Sequence, residues 1–122
     1  MKFGVAIRNM GPQSSRTAIR ACARIAEQAG FDALFVSDHL CIPPDQVEGS
    51  GGRYLDVLAT LAFLAGATER IRLGVSVLVV PYRPAVLTAK QIATLDGHEA
   101  SVERILNLIF AVENRPAMAG AN

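Results

Sequence analysis

Cysteines, basic clusters and long apolar runs are scarce or absent in this chain, and each lack closes a class of function. There are only two cysteines, Cys22 and Cys41, with no C-x-x-C pair and no secretory segment. Reduced thiols in a cytoplasmic protein are therefore expected, with neither a disulfide framework nor a metal ligand set. Cys41 follows an Asp-His pair, but no neighbour in the sequence activates a thiol, which argues against a nucleophilic role. Basic clusters are absent and the formal net charge is +1, so neither nucleic acid nor an anionic membrane surface is the expected partner. The longest apolar run, Val57 to Ala67, is broken by Thr60 and is too short to span a bilayer. The opening Met1-Lys2-Phe3-Gly4 leads directly into a strand pattern, so no signal peptide is expected. Neither glycine-rich phosphate-loop pattern occurs, G-x-G-x-x-G or G-x-x-x-x-G-K-[ST].

What remains is globular. Hydrophobic residues make up 51% and charged residues 19% of the 122 positions, enough for one domain with a core. Phe3 to Ile7 reads as a first buried strand, closed by Arg8-Asn9 and Gly11-Pro12. Ser14 or Ser15 can cap a helix whose apolar side is expected to hold Ala18, Ile19, Cys22, Ala23, Ile25, Ala26 and Ala29. Gly30 is placed for the left-handed stop, with Phe31 folding back on the last turn.

The second strand, Ala33 to Val36, ends in Ser37-Asp38-His39, where a carboxylate and an imidazole adjoin a buried segment. Ligands in α/β folds collect at strand C-termini, so this pair is the leading candidate for chemistry. A polar connection from Cys41 to Arg53 follows, and its glycines predict flexibility. Asp56 can cap a helix from Val57 to about Thr68, apolar almost all round and expected to be buried on more than one side. Ile71 to Val80 reads as a strand rich in β-branched residues, stopped by Pro81. Gly74 and Ser76 interrupt it, marking either close approach of a ligand or room for neighbouring side chains. Pro84 suits the first turn of a third helix, Ala85 to about Leu95, with Val86, Ala89, Ile92 and Ala93 on one face.

Past Asp96 the pattern weakens. His98 is expected at the surface, and residues 105–112 fit a strand or a helix. The expected organisation is one domain over residues 1–113 and a loose tail over 114–122. Strands alternating with helices mean a parallel sheet, either an open doubly wound sheet or part of a (β/α)8 barrel. A barrel takes about 250 residues, so this chain supplies at most about half of one.

Several linked motifs carry a family resemblance over residues 1 to about 96. Phe35-Val36-Ser37-Asp38-His39-Leu40 is followed by Arg53-Tyr54-Leu55-Asp56 and Leu58 to Ala65. Thr68-Glu69-Arg70-Ile71-Arg72-Leu73-Gly74, the run through Pro81-Tyr82-Arg83, and Ala89 to Asp96 then come in order. Together they resemble the luciferase-like monooxygenase superfamily of flavin- and F420-dependent oxidoreductases. The resemblance implies parallel β/α units forming roughly the first half of a TIM (β/α)8 barrel, here truncated. It implies coenzyme F420 as cofactor, with FMN as the alternative, and a small-molecule substrate. It assigns His39 and Asp38 as catalytic residues, His39 handling a proton, and Asp38, Ser76 and Val77 as cofactor-binding residues. It also implies a cis peptide between Ser76 and Val77.

Departures from the pattern are visible. One residue usually found between Arg83 and Pro84 is missing, and Ser101-Val102-Glu103-Arg104 and Asn107 replace a glycine-rich turn and strand. A half-barrel has open edges, so self-association is expected. Two readings of function follow: a flavin or F420 oxidoreductase, or a catalytically inactive homologue serving as an interaction module. An unrelated open-sheet nucleotide binder would carry a glycine-rich first turn, and Asn9 to Ser15 is not one.

Overall fold

The computed structural model describes residues 1–97 apart from 41, 44, 46 and 48. The readings made for Cys41, His98, residues 105–112 and the tail lie outside the described residues. The chain divides into two compact units, Met1–Val79 and Val80–Asn122.

The first unit holds β1 (Gly4–Ala6), α1 (Arg16–Gln28), β2 (Ala33–Val36), α2 (Val57–Ala65) and β3 (Arg72–Val75). The strands form a parallel sheet in the order β1-β2-β3. Ala6 pairs with Phe35, and Phe35 in turn with Gly74. Alternation along β2 gives the sheet two unlike faces. Leu34 and Val36 are fully buried, whereas Ala33 and Phe35 on the opposite face are half-buried. Each fully buried Leu or Val is worth about 1.5–3 kcal/mol. α2 packs on β2 and β3 and buries Val57, Leu58, Thr60, Leu61 and Leu64.

Local sequence explains where the helices begin and end. The Ser15 side chain accepts a hydrogen bond from the Ala18 N–H at 3.2 Å, and Asp56 Oδ1 accepts one from the Ala59 N–H at 2.8 Å. After α1, Gly30 takes φ +81°, with Gly30 N–H bonding Glu27 O and Phe31 N–H bonding Ala26 O. Those two bonds are the pair that defines a Schellman stop, in which glycine avoids the Cβ penalty. The Glu27 carboxylate then reaches across to the turn before β3. Its Oε1 accepts the backbone N–H groups of Glu69, Arg70 and Ile71 at 2.9, 2.6 and 2.9 Å. Those bonds hold the Glu27 carboxyl below the usual carboxylate pKa, with the Arg70 and Ile71 N–H groups the largest causes.

Three expectations need correction. The strand expected over Ile71 to Val80 is only Arg72–Val75. Its apolar residues continue, but the ladder does not: Ser76 N–H still bonds Val36 O, whereas Val79 N–H bonds the Asp38 side chain. On α1 only Ile19, Ala23 and Ala26 are buried, leaving Cys22, Ile25 and Ala29 exposed. The 13-residue helix buries one narrow i, i+4, i+7 stripe, and the wider apolar face lies beyond it. α2 stops at Ala65, capped by Gly66, and turns Ala59, Ala62 and Ala65 outward, so its burial is on one side plus Thr60. The described part of the glycine-rich connection makes hydrogen bonds of its own. Arg8 Nη2 donates to Gly49 O at 2.6 Å, and buried Ser50 donates from Oγ to Val47 O at 3.0 Å.

The second unit begins with a short 3-10 turn, Val80–Tyr82, and α3 (Ala85–Asp96). Pro84 sits at the cap position, and Thr88 N–H bonds its carbonyl. Thr88 and Ala89 are the buried residues of α3. Val86, grouped by spacing on one face with Ala89, is 77% exposed. No helix among the described residues is long and apolar enough to cross a membrane.

Candidate functional site

The strands are parallel, so their C-terminal ends lie at one end of the sheet, and the sequence-predicted residues follow two of them. Val36 pairs with Val75, and one step further Ser76 N–H bonds Val36 O at 2.9 Å. That register brings Ser37-Asp38-His39 after β2 level with Ser76-Val77 after β3. The Ser76–Val77 peptide is cis. Both residues are exposed, Val77 at 69%.

Asp38 and His39 part company. Asp38 is 2% exposed, and its Oδ2 accepts the Val79 N–H at 3.0 Å. A carboxylate bonded to a backbone N–H makes a short, charge-assisted contact, and this one ties the end of β2 to the chain beyond Val77. His39 is exposed, and its ring meets Tyr54 edge to face, with centroids 4.7 Å apart and an interplanar angle of 62°. Consecutive side chains leaving a strand point to opposite sides, which separates a buried anchor from an exposed imidazole.

Two residues that the sequence reading passed over organise this end. Asn9, 1% exposed, donates from Nδ2 to Ser37 O at 2.7 Å and accepts the Ser37 N–H on Oδ1 at 3.1 Å. The same Nδ2 reaches Leu55 O at 3.4 Å, and Leu55 N–H bonds Asn9 O at 3.1 Å. An amide side chain offers both donors and an acceptor, so it can clamp one residue's backbone in both directions. Tyr54 belongs to the same meeting of chain ends, through an antiparallel bridge with Met10 and the Gly11 N–H to Arg53 O bond at 2.9 Å. The signal for Asn9 was a lone amide shortly after the first strand, which is expected to be buried but has Gly4 and Ala6 exposed. Tyr54 sat in a quoted motif with no chemistry attached to it.

Gly74 is explained by its neighbours. A Cβ built there would lie 2.8 Å from Phe35 Cε1, and one on Gly4 would lie 2.6 Å from Phe35 Cε2. The Phe35 ring therefore rests across both flanking strands, and the glycines make room for a side chain rather than for a ligand.

Among the described residues, no group of three or more His, Cys, Asp and Glu side chains could hold a metal ion. At the strand ends Ser76, Val77 and His39 are exposed, while Asp38 is buried with its carboxylate on the Val79 N–H.

Comparison with known proteins bears on the family and the fold. A family model described as luciferase-like monooxygenase matches residues 1–98. The chain is 45% identical over 73 residues to an F420-dependent glucose-6-phosphate dehydrogenase of Beutenbergia cavernae, which is 58% of this chain and 20% of that protein. A protein of the same description from Microbacterium testaceum is 40% identical over 73 residues, with the same coverage. The chain thus spans about a fifth of the length of the curated relatives it matches. The crystal structure of a riboflavin lyase with modified FMN and riboflavin superposes with a TM-score of 0.66 at 21% identity, covering 79% of this chain and 27% of that one. At that identity the likeness establishes the fold, parallel β/α units of the barrel type.

Proposed function

Because the chain belongs to the luciferase-like monooxygenase family, we propose that it carries part of the cofactor-facing end of an oxidoreductase using coenzyme F420, with FMN as the alternative. The observation that carries this reading is the meeting of Asp38 and His39 with Ser76 and Val77 at one end of the sheet. The F420-dependent relatives favour F420 over FMN. Bound there, such a ring supplies the hydride chemistry, a capability that belongs to the cofactor.

The chain's own residues position it and handle the proton. Ser76 and Val77 would hold the ring, Val77 by apolar contact and Ser76 through its hydroxyl. Asp38, through the Val79 N–H, keeps the backbone after Val77 from moving away. His39 holds or delivers a proton at an imidazole nitrogen, a task suited to a ring whose two nitrogens can donate and accept hydrogen bonds. The substrate is a small molecule, and the relatives' named activity makes glucose 6-phosphate the first to assay. Self-association completes the reading, since β1 and β3 are the outer strands of the described sheet. A monodisperse monomer by static light scattering would contradict that part.

The main test titrates the purified chain with coenzyme F420 and with FMN, following fluorescence, and then assays hydride transfer. His39→Ala is expected to cost at least about tenfold in turnover, or about 1.4 kcal/mol of barrier, while His98→Ala costs nothing. Equal activity in both variants refutes the role of His39. Absence of binding to either cofactor favours the second reading, a catalytically silent interaction module. That reading draws its support from Ser101-Val102-Glu103-Arg104 and Asn107, which stand where the family pattern has a glycine-rich turn and strand.

A further inference from the structure

We propose that Tyr54 is a positioning residue for His39, held in place by a short ladder between the end of β1 and the segment before α2. Three observations converge. The first is the ring contact, at 4.7 Å between centroids and 62° between planes, within the range where aromatic pairs attract edge to face. The second is the ladder. Residues 9–11 and 53–55 run antiparallel, joined by Leu55 N–H to Asn9 O, the Met10–Tyr54 bridge, and Gly11 N–H to Arg53 O. Tyr54 is thereby fixed on both sides by backbone bonds, although it lies in a connection rather than in a helix or strand.

The third is direction. Side chains along an extended segment alternate, and Arg53 and Leu55 line a cleft of about 330 Å³ together with Ser14, Ile19 and Phe63. Tyr54, between them, turns to His39. The ladder and β2 are in turn registered to each other by one buried side chain, because Asn9 bonds both Ser37 backbone groups and also Leu55 O. His39 lies two residues beyond Ser37, and Tyr54 lies one residue before Leu55. An exposed imidazole with no wall samples several rotamers. Against the Tyr54 ring it is confined, and the confinement is referred back to the same strand end that offers Ser76 and Val77. This inference deepens the proposed function and rests on its reading of His39.

The test has one arm that needs no cofactor. In the full chain with labelled histidine and tyrosine rings, NMR is expected to show direct proton contacts between the two rings, and His39 resonances displaced by the Tyr54 ring. The second histidine is assigned by His98→Gln. Tyr54→Phe should keep the displacement and Tyr54→Leu should abolish it, with His98 unchanged in both. In the second arm, coenzyme F420 binding is followed by its fluorescence. Tyr54→Leu should weaken binding about three- to tenfold, the range an aromatic pair supports, with Tyr54→Phe close to the parent chain. The double variant with His39→Ala should bind no more weakly than His39→Ala alone, because Tyr54 acts through that ring.

Missing ring contacts in the unsubstituted chain overturn the proposal even if Tyr54→Leu fails to fold. So does a Tyr54→Leu chain that binds as the parent does, or a fully additive double variant. If the parent chain binds neither F420 nor FMN, the cofactor reading fails and the positioning role toward it fails too. The ring contacts would then still be seen, which separates that failure from an error in the geometry.

Discussion

Truncating Asn9 to alanine puts the clamp at the strand ends to a quantitative test. Asn9 is 1% exposed and makes two well-formed side-chain bonds to Ser37, at 2.7 and 3.1 Å, besides a longer one to Leu55 O at 3.4 Å. Alanine removes all three and leaves the N–H and C=O of Ser37, in a part-buried place, without these partners. Each orphaned buried group costs about 1–3 kcal/mol, and the 3.4 Å contact adds little at that distance. The expected loss is therefore about 2–5 kcal/mol, a large share of the ~5–15 kcal/mol that holds an ordinary domain together. Urea unfolding of the chain reads it directly. With a slope of about 2 kcal/mol/M, the midpoint should fall by about 1–2.5 M with the slope unchanged. Asn9→Asp separates shape from hydrogen bonding. It keeps an acceptor for the Ser37 N–H but turns a carboxylate oxygen toward two carbonyls, so it should be at least as damaging as alanine. A loss below about 0.5 kcal/mol for Asn9→Ala, the size of an ordinary surface change, would refute the reasoning.

Three further substitutions follow from the same geometry. Gly74→Ala places a methyl against the Phe35 ring and should cost about 1–3 kcal/mol in urea unfolding, with Phe35→Leu in the same chain recovering part of it; strict additivity would contradict the packing argument. Glu27→Gln should lower the urea midpoint at neutral pH, because three backbone N–H groups lose a charged acceptor. The folded pKa of Glu27 lies below its ordinary 4.5, so its stabilisation is present above that value and lost as pH falls through the folded pKa; a gap between parent and variant that widened in acid would refute it. Asp38→Leu should weaken F420 binding more than Asp38→Asn, since asparagine keeps an oxygen for the Val79 N–H, and equal binding in the two variants would count against Asp38 as the backbone anchor.

Most of the fold was legible because local signals and burial agreed. Ser15, Gly30 and Asp56 each did what their chemistry prescribes at a helix end, and the apolar runs before Arg8 and Ser37 became parallel strands. Readings failed where composition was asked to give direction or length. Val77, Leu78, Val79 and Val80 are as strand-like as Leu73, yet the ladder ends at Ser76 because the Val79 N–H finds a carboxylate instead of a neighbouring strand. Propensity says which residues suit a strand, not whether a partner is beside them. Cys22 and Ile25 on α1 illustrate the same limit, since apolar spacing marks a face without saying how much of it is covered.

The site divides along a similar line. Asp38 and His39 announce themselves as polar residues at a strand end, and Ser76 and Val77 came from the resemblance. None of the four reveals by spacing that it will share a place with another. What joins them is register, Val36 against Val75, and register is a property of two segments at once. Asn9 and Tyr54 were harder still, because their importance lies in what they hold. An amide that clamps Ser37 in both directions and a ring that flanks an imidazole look, as letters, like any residues in a turn. The candidate chemistry is thus borne by exposed side chains whose placement depends on buried ones several positions or a whole strand away. Replacing Asn9 should accordingly disturb His39 as well as the fold. In the NMR measurement above, a folded Asn9→Ala chain should lose the His39–Tyr54 ring contacts although both rings are still present. Retention of those contacts would show that the ladder's backbone bonds alone set the pair, and that the amide clamp serves stability only.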